Sequence, residues 1–269
     1  MTGSGGTIKL DSAAAAFNVG DVVIRGSGEI RLDLGNASSV GSINTTGHVA
    51  TATIDLSGVN SGVTVLLGAS ANKVVLSSAS DSVSFRSNTG IDKVYFASTG
   101  VADQFGRYFQ FGTSQDSISF GTAAFSLGLG SAEANNQSSA LNILVASAAS
   151  NGLVFNSAGA TDQATDLVIF ADSAFASFAD MASSLRGLSA VGTDTSYTAA
   201  NGVLVLWYDS TNGRTELSLV AASANAGTLA SAIPAAGTAL AYFDTNIVTV
   251  SADTFGQFFT YAEKDITGL

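Results

Sequence analysis

The sequence predicts a mainly β chain, with a parallel β-solenoid over residues 1–165 and a smaller α+β module over residues 166–269. Three observations predict it. Between Thr7 and Phe120 apolar residues alternate over pieces of four or five residues, each bounded by Gly, Ser, Asn or Asp, which is the period of strands and not of helices. Almost no Asn-Gly or Asp-Gly pair separates these pieces, so tight hairpins do not join them. Short strands without hairpins can bury their inward residues by coiling, each rung against the next. At Asp172 the texture changes to helical spacing, and the region from about residue 166 onward reads as a mixed α and β module.

Taken in order, the strand pieces of the first part are "TIKL", "DVVI", "EIRLDL", "ATIDL", "VTVLL", "KVVL", "SVSF", "KVYF" and "SISF". Short strands continue through "LNILVA" and "GLVF", between loops rich in Ser, Ala, Asn and Gln. Then Phe175, Phe178, Ala182 and Leu185 recur at helical spacing behind the cap candidates Asp172 and Ser173, with Gly187 where a helix should stop. "NGVLVLWYDSTNGRTELSLV" reads as strand, turn and strand, and "ALAYF" and "IVTV" as two further strands. In the closing "SADTFGQFFTYAEKDITGL", Ser251 or Asp253 can cap a helix with Phe255, Phe258, Phe259 and Ala262 on one face.

Composition bounds the function. Charged residues make up 12% of the 269, half the usual share, so the surface is neutral and hydroxyl-rich. A net charge of -11 repels phosphate backbones and anionic headgroups, which argues against nucleic acid as a partner. The uncharged run over residues 217–243 is broken by Ser218, Asn225, Gly227, Pro234 and Gly237, so no membrane insertion is expected. With no Cys there is neither a disulfide frame nor a thiolate site. No Cys, one Pro and an acidic Ser/Thr/Asn-rich surface fit a protein exported across both membranes of a Gram-negative cell. The opening "MTGSGGTIKL" lacks the basic start and apolar stretch of a signal peptide and reads as an interior cut point.

One spacing recurs. Asn72, Asp81, Asp92, Asp116 and Asp166 are each followed two positions later by Val or Ile and four later by Leu or Phe, with first steps of nine and eleven residues. A nine-residue step ending Asp-x-aliphatic resembles the calcium-loaded β-roll repeat, G-G-x-G-x-D-x-U-x. The resemblance implies a β-roll-like solenoid and makes Asp81, Asp92 and Asp116 the candidate calcium ligands, with Asp92 foremost because Asn88 and Gly90 accompany it. The glycines depart from the pattern: counting back from each acid, only Gly68, Gly90 and Gly112 match. Ser and Ala stand in most of the places where glycine lets the loop surround calcium with oxygen. The repeats therefore read as worn copies, with calcium as the one cofactor in view.

The last hundred residues carry a second resemblance. A strand ending Tyr-Asp, an Asn-Gly turn, a strand with Leu, an Ala-rich segment and then "SADTF" look like the C-terminal end of bacterial type I secreted repeat proteins, a group that includes surface-layer proteins and repeat adhesins. The resemblance implies export by type I secretion machinery that reads residues 253–269, a place outside the cell or on its surface, and self-association or assembly with other surface chains.

Little catalytic chemistry is on offer. His48 is the single histidine, so any Ser-His-Asp or His-based acid–base machine rests on it alone, and beside Gly47 it reads as a surface turn residue. Asp81, Asp92 and Asp116 could in principle form a glycosidase pair, but only Arg86, Lys93 and Tyr95 accompany them to hold a sugar. The aromatics of "FGRYFQF", Phe105, Phe109 and Phe111, read as a plug for a solenoid turn or for its junction with the next module, and Trp207 and Tyr208 as core and core edge. The expectation is a structural protein and not an enzyme. An adhesin or ligand-binding solenoid, including ice- and carbohydrate-binding forms, is the alternative, and a polysaccharide-active enzyme comes third.

Overall fold

The computed structural model describes residues 6–9, 17–35, 37–85, 90–96, 106–111, 116–120, 143–146, 153–154, 165–188, 190–191, 202–221, 233–234, 237–248 and 259–261. Packing divides the chain into two compact units, Met1–Ala124 with Gln257–Leu269, and Phe125–Gly256. The nine-residue strand Leu167–Phe175 lies inside the second unit.

The first unit is a parallel β-solenoid with two strands per turn. One sheet takes the odd strands β1 (Gly6–Lys9), β3 (Ile30–Asp33), β5 (Ala52–Asp55), β7 (Lys73–Val75), β9 (Lys93–Phe96) and β11 (Ser117–Phe120). The other takes β2 (Phe17–Gly26), β4 (Ala37–His48), β6 (Thr64–Leu66), β8 (Ser82–Ser84) and β10 (Gly106–Phe109). The described pairings within this unit are all parallel. The coil therefore replaces the hairpins that the sequence lacks. Lys73 and Lys93 are register partners twenty residues apart, and this is why steps of nine and eleven alternate: each copy of the spacing is half a turn.

Register turns the alternation into columns. Ile8, Leu32, Ile54, Val74, Val94 and Ile118 stack in one sheet, and Val22, Ile43, Val65, Val83 and Tyr108 in the other. The positions two residues on, Leu34, Leu56, Leu76, Phe96 and Phe120, are also buried, and the Phe96 and Phe120 rings stack 5.5 Å apart. Since successive strand residues point to opposite faces, these columns fill the space between the two sheets. Val74, Val83, Val94 and Ile118 are inward, as the alternation predicts. Each fully buried aliphatic side chain contributes roughly 1.5–3 kcal/mol, so the columns are a main source of the coil's stability.

The second unit holds β12 (Ile143–Ala146), β14 (Leu167–Phe175), β16 (Gly202–Asp209), β17 (Arg214–Ala221) and β18 (Thr238–Phe243) side by side, with β13 (Leu153–Val154) paired to β15 (Ala190–Val191). β12, β14 and β16 run parallel, and β16 to β18 are antiparallel. Helix α1 (Phe178–Gly187) lays Met181, Ala182 and Leu185 against Val168, Phe170, Val205 and Trp207. Trp207 is core, and its indole N–H donates to Ser218 Oγ at 3.1 Å.

Three expectations are corrected. The helix starts later than Asp172: β14 runs on through Phe175, and Ser177 is the cap, accepting from the Asp180 N–H at 3.2 Å. Ile247 and Val248 are buried without belonging to a strand. In the closing segment Phe259–Tyr261 forms a strand, β19, parallel to β11, because the edge of β11 offers backbone partners that outweigh helical spacing. Residues 249–258 and 262–269, which hold the rest of that expected helix, lie outside the described residues.

Candidate functional site

The recurring acids meet the structure at the corners of the coil. Asn72, Asp92 and Asp116 stand at the corners entering β7, β9 and β11, and Asp81 at the corner entering β8, on the other sheet. All four are buried, and no more than 5% of any one is exposed. Backbone N–H groups just before a strand have left one loop and not yet joined the next ladder, so they need acceptors.

These side chains supply them by one rule. The Ala52 N–H donates to Asn72 Oδ1 at 3.1 Å, the Asn72 N–H to Asp92 Oδ1 at 2.8 Å, and the Asp92 N–H to Asp116 Oδ1 at 3.2 Å. In each case the oxygen of one rung accepts from the equivalent residue of the rung before. Asp81 does the same on the opposite sheet, where its Oδ1 accepts from the Val63 N–H at 2.9 Å. Asn72 adds a side-chain link, its Nδ2 donating to Asp92 Oδ1 at 2.9 Å. The result is a polar ladder parallel to the apolar columns.

Asp81 accepts two further hydrogen bonds, both from Ser77. Its Oδ2 accepts from the Ser77 N–H at 2.7 Å and its Oδ1 from Ser77 Oγ at 2.9 Å. Burial pushes its carboxyl up from 3.8 to about 6, against the downward pull of the bonds from Val63 and Ser77. Burial, with the Asp81 charge second, also holds the Tyr108 phenol well above its usual range.

The surviving glycines have a packing reason. A Cβ on Gly90 would stand 2.5 Å from the Ala71 backbone nitrogen, and one on Gly68 would stand 2.4 Å from the Thr45 carbonyl oxygen. Both corners lie too close to the rung before for any side chain. The three calcium candidates are thus on two different corners: Asp92 and Asp116 share a ladder, while Asp81 belongs to the other sheet. Among the described residues no three His, Cys, Asp or Glu side chains form a group that could hold a metal ion.

Comparison with protein-family models, curated proteins and solved structures finds no match to this chain.

The remaining candidates are equally placed by packing. His48 is 2% exposed, which corrects the reading of it as a surface turn residue. It closes the twelve-residue strand β4, and among the described residues neither ring nitrogen has a hydrogen-bond partner. A groove of about 610 Å³ runs along the odd sheet, lined by Thr7, Arg31, Thr53 and Lys73 with Glu29 beside them. Among the described residues its lining includes one carboxylate, Glu29. Phe111 is buried edge-on to Phe85 at 5.2 Å, while Phe105, Arg86, Asn88 and Gly112 lie outside the described residues.

In the second unit Asp209 organises the hairpin between β16 and β17. Its Oδ1 accepts from the Thr211 and Asn212 N–H groups at 2.9 and 3.0 Å. Burial alone would raise this carboxyl, but the bonds from Asn212 and Thr211 and the Arg214 charge hold it below its usual value. Burial raises Glu216 in spite of its bonds from Arg214, whose guanidinium also sits 4.2 Å from the Tyr242 ring centre.

Proposed function

We propose that the chain is a structural module of a surface layer or other cell-surface assembly in a Gram-negative bacterium, exported by type I secretion with residues 253–269 as the segment read by the exporter. The observation that carries this reading is the corner ladder. The residues that recur most regularly are spent on joining rung to rung, and a coil so joined is a stiff spacer whose outer faces are free to meet other chains. Asp81, Asp92 and Asp116 act in this reading as hydrogen-bond caps, and the coil stands without calcium. It assigns the protein no catalysis, no nucleic acid and no membrane insertion. Its partners are copies of itself or other surface chains.

A second reading, a carbohydrate-binding solenoid, is favoured by the groove with its Thr hydroxyls, Arg31 and Lys73, groups that suit sugar hydroxyls and carboxylates. Export separates the structural reading from a cytoplasmic one. A soluble passenger joined to residues 253–269 is expected in the medium of a host with a type I exporter, and the protein lacking those residues is expected to stay in the cytoplasm. A passenger retained inside the cell, or a truncated protein exported normally, contradicts the proposal.

A further inference from the structure

Among the described residues one long strand edge of the solenoid is open. β2 has ten residues and ends the strand order of its sheet; among the described residues it pairs with β4 on one side and with nothing on the other. Its two register irregularities against β4 each place the extra residue in β4, so β2 itself runs without a bulge. An edge of this length, regular and unpaired, is a template for another strand unless its side chains forbid it.

The side chains favour one partner. Asp21, Val23 and Arg25 alternate along the outward face of β2; all three are exposed, Val23 by 55%. The three read acid, apolar, base about a centre at Val23, which is the pattern that matches itself when reversed. We propose that two copies of this chain associate through β2 about a two-fold axis at Val23, extending the even sheet by an antiparallel β2–β2 pair. Residues 20–26 then face their counterparts, with Val23 against Val23, and each Asp21 opposite the other copy's Arg25 at the roughly 5 Å of directly opposed side chains. The contact is isologous and therefore closes at two copies. It deepens the assembly reading above by naming the surface, and the export of the chain does not depend on it.

Charge reversal tests the pairing on the full chain by sedimentation at low salt. The unaltered protein is expected to be a dimer. Asp21→Arg or Arg25→Asp alone turns two attractions into two repulsions and should weaken the dimer about tenfold or more. Mixed in equal amounts, the two variants are complementary and should form a heterodimer, which also shows that both are folded. A monomeric unaltered chain, or single variants that dimerise as well as it does, overturns the β2 pairing. Persistent self-association in those variants would leave the assembly reading standing on another surface.

Discussion

Asp81 offers the sharpest quantitative handle on the solenoid. Its carboxyl lies at about 6 in the fold against 3.8 unfolded, a rise of about 2 units, or ~3 kcal/mol at 1.36 kcal/mol per unit. Because the folded value is the higher one, the folded state binds the extra proton. The stabilisation is fully present below about pH 4 and is lost as pH rises through about 6. Asp81→Asn removes the titration. It keeps an oxygen for the Val63 N–H and the Ser77 hydroxyl, but it turns a donor toward the Ser77 N–H, a fixed cost of about 1–3 kcal/mol. The informative quantity is therefore the slope and not the offset. Urea unfolding of both proteins from pH 4 to 7 should show the parent losing ~3 kcal/mol relative to Asp81→Asn across that window. Parallel curves would mean that the carboxylate reaches water and that the corner is open.

Two further substitutions probe the columns and the ladder. Val83→Asp sets a carboxylate between Val65 and Tyr108, and should cost several kcal/mol in a chemical or thermal melt; an unchanged melt would show that face to be solvated. Asn72→Ala leaves the Ala52 N–H without its acceptor, for about 1–3 kcal/mol. Asn72→Asp keeps the acceptor but sets a second carboxylate against Asp92, so at pH 7 it should be the less stable of the two and recover on acidification. An Asn72→Asp protein more stable than its parent in calcium would make the corner an ion site.

Much of the coil was legible because the signal is short-range. A strand shows its buried face by alternation, so Val74 and Leu76, Val83 and Phe85, or Val94 and Phe96 declare themselves without knowledge of their neighbours. The chemistry of the corner acids was not legible in the same way. An Asp before a strand looks the same whether its oxygen meets a cation or the N–H of the rung before, and that N–H lies eighteen or more residues away. One clue was present: Asn72 holds the same place as the acids, which points to a shared need for an oxygen acceptor and not for charge. His48 misled because Gly47 beside it suggests a turn, whereas β4 carries straight through both. The spacing around Phe259 fits a helix well enough, but the open edge of β11 was invisible from the sequence and takes that segment as a strand.

The structural reading rests on corners that hold without metal, and circular dichroism with and without EDTA tests this directly. The β signal and its melting temperature are expected to be the same in chelator as in millimolar calcium, because buried Val, Leu and Phe columns and N–H-capping oxygens carry the fold. Loss of the β signal on chelation, restored by calcium, would make Asp81, Asp92 and Asp116 live ion ligands and contradict their role as caps.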